Sequence, residues 1–327
     1  MRIAVSGSIA TDHLMVFPGR FADQLITEMV EHVSLSFLAD RLDVREGGVA
    51  ANISYGLGLL GLRPVLVGAA GADFAAYGDR LRDTGVDIGS VRVSETLHTA
   101  RFVCTTDVDQ NQIATFYAGA MAEAGRIDLA EVHRRTGGLD LVIVGADDPE
   151  AMLRHTATAH ELGIPVAADP SQQLARLDTG QTRRLVDGAQ LLFTNEYESA
   201  LLRERTGWSE PDVLERVGTW IVTRGAGGVS ITTADGRRTD VPAVATHDEV
   251  DPTGVGDAFR AGFLAGLARE LPDERAAQLG CALATSALES VGTQEYKLLL
   301  TDLLARIDRS YGSEAAQEIG SRLGDDG

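Results

Sequence analysis

The residues best suited to chemistry lie together in Asp251-Pro252-Thr253-Gly254-Val255-Gly256-Asp257, directly before the helical run Ala258–Gly266. Gly254 and Gly256 let the backbone turn so that successive N–H groups point outward at a helix start. Such a concavity, reinforced by the helix dipole, stabilises the negative charge of a transferring phosphoryl group. Asp257 stands beside it, where a carboxylate can accept the proton of an attacking hydroxyl. The plainer reading of the same residues is a glycine-rich turn with Asp capping a helix.

Three other stretches share this character. Glu46-Gly47-Gly48-Val49-Ala50-Ala51-Asn52-Ile53-Ser54 again places glycines before a helix. Asn195-Glu196-Tyr197-Glu198 follows an apolar run and, alone, reads as helix-start chemistry, with Asn as cap and Glu at the third position. Thr223-Arg224-Gly225-Ala226-Gly227-Gly228 also follows an apolar run and, alone, reads as a β-turn.

The elements that must position these residues are legible as alternation. Arg2–Ser6, Pro64–Gly68, Leu139–Gly145, Pro165–Asp169, Leu191–Thr194 and Trp220–Thr223 are apolar runs too short for helices. Between them, Ala50–Leu60, Asp73–Thr84, Pro149–Glu161, Thr179–Asp187 and Glu196–Thr206 repeat every 3.6 residues. Strand then helix, repeated, predicts a doubly wound, mostly parallel sheet with helices on both faces, an α/β fold. Ligands of such sheets gather at the carboxyl ends of the strands.

Two segments, 13–45 and 99–118, alternate with period two, and Asp107–Asn111 reads as a hairpin turn between strands. They are expected to form a small β-sheet over the mouth of an α/β body made of 1–12, 46–98 and 119–327. That sheet suits a lid that excludes water, a dimer interface, or both. The acidic tail from Ser313 reads as a fraying helix.

The chain has 29 basic and 48 acidic residues, a formal charge of −19, which argues against nucleic acid or an anionic membrane as partner. It opens directly into an apolar strand rather than a signal peptide, and no run approaches 18 apolar residues. Cys104 and Cys281, far apart in sequence, read as reduced thiols of a cytoplasmic protein.

The order and spacing of these motifs, from Gly7-Ser8-Ile9 to Gly292, resemble the ribokinase-like (PfkB) carbohydrate kinase family, with its early Gly-Gly…Asn and late Gly-x-Gly-Asp signatures. The resemblance implies that Asp257 is the catalytic base and that Gly254, Val255 and Gly256 form the anion hole. It further implies that Asn195 and Glu198 organise Mg²⁺ and phosphate through water, and that Thr223, Arg224, Gly225, Ala226, Gly227 and Gly228, with Gly256, hold ATP. Family members often bind a monovalent cation, here K⁺, near Asp251 and Thr253 on one side and Ser290 and Gly292 on the other.

On the acceptor side Asp12 matches the family's sugar-binding Asp, while Ala10 and Val49 stand where ribokinases usually carry Asn and Lys. Phe102 and Phe116 on the alternating strands could stack on a flat base, or simply pack a lid core. Gln172 and Gln173 could pair with a purine edge or with solvent, and Arg176 could meet a phosphate or lie on the surface. The set Ser8, Asp12, Ser36, Gly48, Asn52, Phe102, Phe116 and Asp257 looks like the nucleoside site of the family's bacterial adenosine kinases. The expectation is therefore ATP-dependent phosphorylation of adenosine in purine salvage, by a homodimer joined through the lid strands. The alternatives are a kinase of ribose, fructose or a related sugar, and a non-catalytic nucleoside- or nucleotide-binding regulator.

Overall fold

The computed structural model describes residues 1–24, 35–246 and 248–324. In chain order its first strands are β1 (Ile3–Ser6), β2 (Ala10–Val16), β3 (Arg41–Gly47), β4 (Val65–Val67), β5 (Ala69–Ala70), β6 (Arg92–Val93) and β7 (Ala100–Thr106). Then come β8 (Gln112–Tyr117), β9 (Leu141–Val144), β10 (Val166–Ala168), β11 (Leu191–Asn195), β12 (Thr219–Thr223), β13 (Val229–Thr233) and β14 (Arg238–Val241).

The main sheet runs β14-β13-β12-β11-β10-β9-β1-β4. From β4 to β12 every pairing is parallel. These strands read as unbroken apolar runs because helices cover both faces. Ile3 and Val5 face one core while Ala4, between them, faces the other. The five expected helices are present, at Val49–Leu59, Ala75–Asp83, Pro149–Glu161, Thr179–Val186 and Glu196–Thr206. Beyond β12 the alternation stops, and β13 and β14 add an antiparallel edge.

The expected period-two segments form a second sheet, β3-β2-β7-β8. Asp107 closes the β7–β8 turn, its carboxylate accepting from the N–H groups of Asp109 and Asn111, both at 2.9 Å. The sheet begins at Ala10 rather than at residue 13. Ala10 pairs with Gly47 and Ala100 and is buried beside Met121, so its sequence looks like core strand. Residues 25–34 of the first segment lie outside the described residues.

The C-terminal helix Ser313–Gly324 does not fray. Ala315 and Ile319 are fully buried in the core with Leu303 and Ile307 of the preceding helix, Leu300–Tyr311. Its acidic residues mark the solvent side of an amphipathic helix, and composition alone masked that period.

Candidate active site

A cavity of about 500 Å³ lies between the carboxyl ends of the parallel strands and the inner face of the small sheet. Register decides which small-sheet side chains reach it. Asp12 pairs across to Arg45, to Phe102 and through it to Phe116, so all four share the inner face with Leu14. From the main body come Ser8, Gly48, Asn52, Gln172, Gln173, Arg176, Asp251, Thr253, Gly254, Asp257 and Gly292.

Asp257 occupies the first turn of helix Val255–Ala268, whose leading N–H groups have no intrahelical acceptor. The helix starts at Gly254, which has φ 75° and lines the cavity. A Cβ there would sit 2.8 Å from Thr293 Cβ, so the tight approach of the loop requires glycine. Gly48 makes the matching turn before helix Val49–Leu59, with φ 98° and a hypothetical Cβ only 2.6 Å from the Ser8 carbonyl oxygen. Ser8 itself receives the Val49 N–H at 3.0 Å, so its hydroxyl fastens that helix start.

These two helices bring Asn52 against Asp257, with Nδ2 donating to Oδ2 at 2.8 Å. Burial pushes the Asp257 carboxyl up to about 6. Arg260 and the Asn52 bond pull it down, and Asp169 and Glu198 push it up again. Asp12 is also raised to about 6, first by burial and then by Asp251, against the pull of Arg45. Both carboxyls therefore change charge near neutrality, where a hydroxyl-binding or proton-accepting group is useful.

Beneath Asp257 lies a buried ion pair that the sequence reading missed. Arg260 Nη2 donates to Asp169 Oδ1 at 2.6 Å, and Nη1 donates to the Gly256 carbonyl at 3.0 Å. Burial raises the Asp169 carboxyl and the guanidinium opposes that rise. A lone Arg in Ala258-Phe259-Arg260-Ala261-Gly262-Phe263 was the available signal, since an unpaired arginine has no place in an apolar helix. Arg45 and Thr293 are further cavity residues that no motif marked.

Other expected residues lie elsewhere. Ser36 is exposed and outside the cavity, because its neighbour Phe37 packs on Phe17 and Phe21, at ring distances of 5.0 and 4.9 Å. Asn195 and Glu198 cap each other reciprocally at 2.7 and 2.8 Å, and Glu198 Oε1 also meets Ser171 Oγ at 3.4 Å. Thr223 ends β12, and Arg224–Gly228 turn tightly into β13, with Arg224 paired to Asp240 at 2.9 Å. Val255 and Gly256 begin the Asp257 helix and, unlike Gly254 before them, do not line the cavity.

On the expected cation side, Asp251 accepts the N–H groups of Thr253 and Gly292, both at 2.9 Å, joining the two flanks. Ser290 Oγ is turned back onto the Ser286 carbonyl. Among the described residues no group of three or more His, Cys, Asp and Glu could hold a metal, and no helix is long and apolar enough to cross a membrane.

Known proteins resemble the chain over most of its length. A nucleoside kinase of Burkholderia thailandensis, solved in complex with inosine, is 35% identical and superposes with a TM-score of 0.83 over 95% of this chain and 98% of that one. A nucleoside kinase of Methanocaldococcus jannaschii is 30% identical over 76% of this chain and 80% of its own length. An ATP-dependent ribose-1-phosphate kinase of Halopiger xanaduensis is 31% identical over 74% and 81%. The model of the pfkB family carbohydrate kinases matches residues 9–298. Through that match, the ribokinase-like fold it shares with the Burkholderia enzyme and the relatives' identity, the chain belongs to the pfkB family of carbohydrate kinases.

Proposed function

We propose that the protein transfers the γ-phosphoryl group of ATP to the 5′-hydroxyl of adenosine, giving AMP and ADP, a purine-salvage reaction. The observation that carries a nucleoside acceptor is the pairing of Phe102 and Phe116 across β7 and β8, on the wall of the cavity that also holds Asp257. A ring pair favours a flat base. Asp12 is the group for ribose hydroxyls, and Asn52 keeps one amide hydrogen beyond its bond to Asp257. Asp257 takes the proton of the attacking hydroxyl, and the helix start at Gly254–Gly256 faces the developing phosphoryl charge. The nucleoside kinases of Burkholderia thailandensis and Methanocaldococcus jannaschii support a nucleoside as acceptor, and the choice of adenosine rests on the likeness of the site's residue set to the family's bacterial adenosine kinases.

Mg²⁺, when bound with ATP, supplies charge neutralisation on the phosphates. Glu198 is its water-mediated partner in this proposal, and the Thr223–Gly228 turn, at the carboxyl end of β12, holds the nucleotide. K⁺ activation is assigned to the Asp251 loop, where carboxylate and backbone carbonyl oxygens suit a hard cation. The small sheet acts as a lid. Its outer face exposes Leu42, Val44, Ile113 and Tyr117, a surface suited to a second copy of the chain.

A second reading has its own observation. Arg45 and Arg176 both line the cavity and could take the anion of a sugar phosphate. One panel separates the readings: ADP release with Mg-ATP and adenosine, inosine, guanosine, cytidine, ribose, ribose 1-phosphate or fructose offered singly. The proposal expects adenosine to give the highest kcat/KM. Equal use of inosine widens it to purine nucleosides, and turnover confined to sugars or sugar phosphates refutes it.

A further inference from the structure

Asn52 is held from behind. Gln294 Nε2 donates to Asn52 Oδ1 at 2.8 Å and to the Tyr77 hydroxyl oxygen at 2.6 Å, and that hydroxyl donates to the Gly47 carbonyl at 2.9 Å. Asn52, Tyr77 and Gln294 are 4%, 4% and 3% exposed, so water does not share these bonds. The direction of every bond follows from the far end. A backbone carbonyl only accepts, so Tyr77 must donate to Gly47 and offer its oxygen to Gln294. Gln294 must then present its amide nitrogen, Asn52 must answer with its oxygen, and Asn52 Nδ2 is left for Asp257.

We infer that Gln294, fixed by Tyr77, is a positioning residue that sets which end of the Asn52 carboxamide meets Asp257. With Nδ2 forward, Asn52 donates to a carboxylate and favours the ionised, proton-accepting form. With the amide reversed, an oxygen would face Asp257, and only the protonated acid could meet it. The chain starts at Gly47, the last residue of β3, so the foot of the small sheet and the base share one line of hydrogen bonds. Thr293, beside Gln294, donates to the Glu46 carbonyl at 3.0 Å and anchors the same foot. The inference rests on the kinase reading in which Asp257 is the base. The charged and titratable groups around Asp257 are Arg260 on its own helix, Asp169 after β10, Glu198 on helix Glu196–Thr206 and the Tyr296 phenol.

The test has two readouts. In ligand-free protein labelled with ¹³C at the Asp carboxyls, Asp257 is assigned by Asp257→Asn and titrated in wild type, Gln294→Met and Tyr77→Phe. In parallel, kcat and KM for the nucleoside are measured from pH 5 to 9. Gln294→Met is expected to raise the Asp257 midpoint by about one pH unit. It should lower kcat about tenfold at pH 5 and about twofold at pH 7, a loss that closes toward pH 9, with KM changed less than about threefold. Tyr77→Phe, which removes only an oxygen, should act in the same direction by less and keeps the test alive if Gln294→Met does not fold. A midpoint that stays at the wild-type value in a folded variant overturns the inference. A wild type inactive on every nucleoside, with the midpoint still moving, refutes the nucleoside reading and leaves the positioning chain standing.

Discussion

Lowering the pH from 7 to 5 should switch off catalysis before it disturbs the fold. Asp257 has its carboxyl pushed to about 6 by burial, against an ordinary value of 3.8. A base with that value is ionised to about nine-tenths at pH 7 and about one-tenth at pH 5, so kcat should fall about tenfold. An unshifted aspartate would lose less than about a tenth over the same range. Asp12 titrates in the same window, since burial and Asp251 raise it to about 6. Its protonation weakens contacts to the acceptor, so it acts on kcat/KM, whereas kcat at saturation isolates the bound enzyme. For stability the sign is opposite. A carboxyl raised in the folded state stabilises the fold when protonated, so as pH falls through 6 these two groups add stability. Stopped-point ADP assays with saturating Mg-ATP and nucleoside, alongside thermal unfolding at each pH, separate inactivation from unfolding. Asp257→Asn should reduce kcat by roughly 10²–10⁴ and leave binding of the nucleoside in place. A wild-type kcat that is flat from pH 7 to 5, or an Asn variant within about tenfold of wild type, would remove Asp257 from the role of base.

Arg260→Met leaves Asp169 buried without its cation and should cost about 3–5 kcal/mol in urea unfolding, while adding Asp169→Leu should recover much of that loss. Asp147 is fully buried, its carboxyl pushed up to about 8 and one oxygen without a hydrogen-bond partner among the described residues. Folding at pH 8 must therefore take up about half a proton, so Asp147→Asn should stabilise by about 1–3 kcal/mol at pH 8 and by less at pH 5, as read from melting curves. Phe102→Ala should raise KM for the nucleoside about tenfold and leave kcat within about threefold; an unchanged KM would take the ring out of base stacking.

Much of the body was legible from the chain because its signals are local. Glycines at 254 and 256, an Asn at a helix start and apolar runs alternating with 3.6-residue patterns reflect the φ, ψ and burial of their own segments. They placed the parallel strands, the helices and the loop before Asp257. The likeness of the motifs to the family singled out Asp12 and Asn52, and the alternating strands Phe102 and Phe116, all of which the structure brings to one cavity. What the chain could not show depends on residues distant in sequence. Ser36 is exposed outside the cavity beside Phe37, which joins an aromatic cluster, and the helix Ser313–Gly324 packs its apolar side on a neighbour. Asp169 meets Arg260 across 91 positions and Asn52 meets Gln294 across 242. Hydrogen bonds and buried charges are satisfied by whatever group the fold delivers, and nothing local to either partner records the other. The sequence by itself determined the α/β body and the loop that carries Asp257. Only the tertiary structure decided what surrounds that carboxylate, and with it the pH at which it can accept a proton.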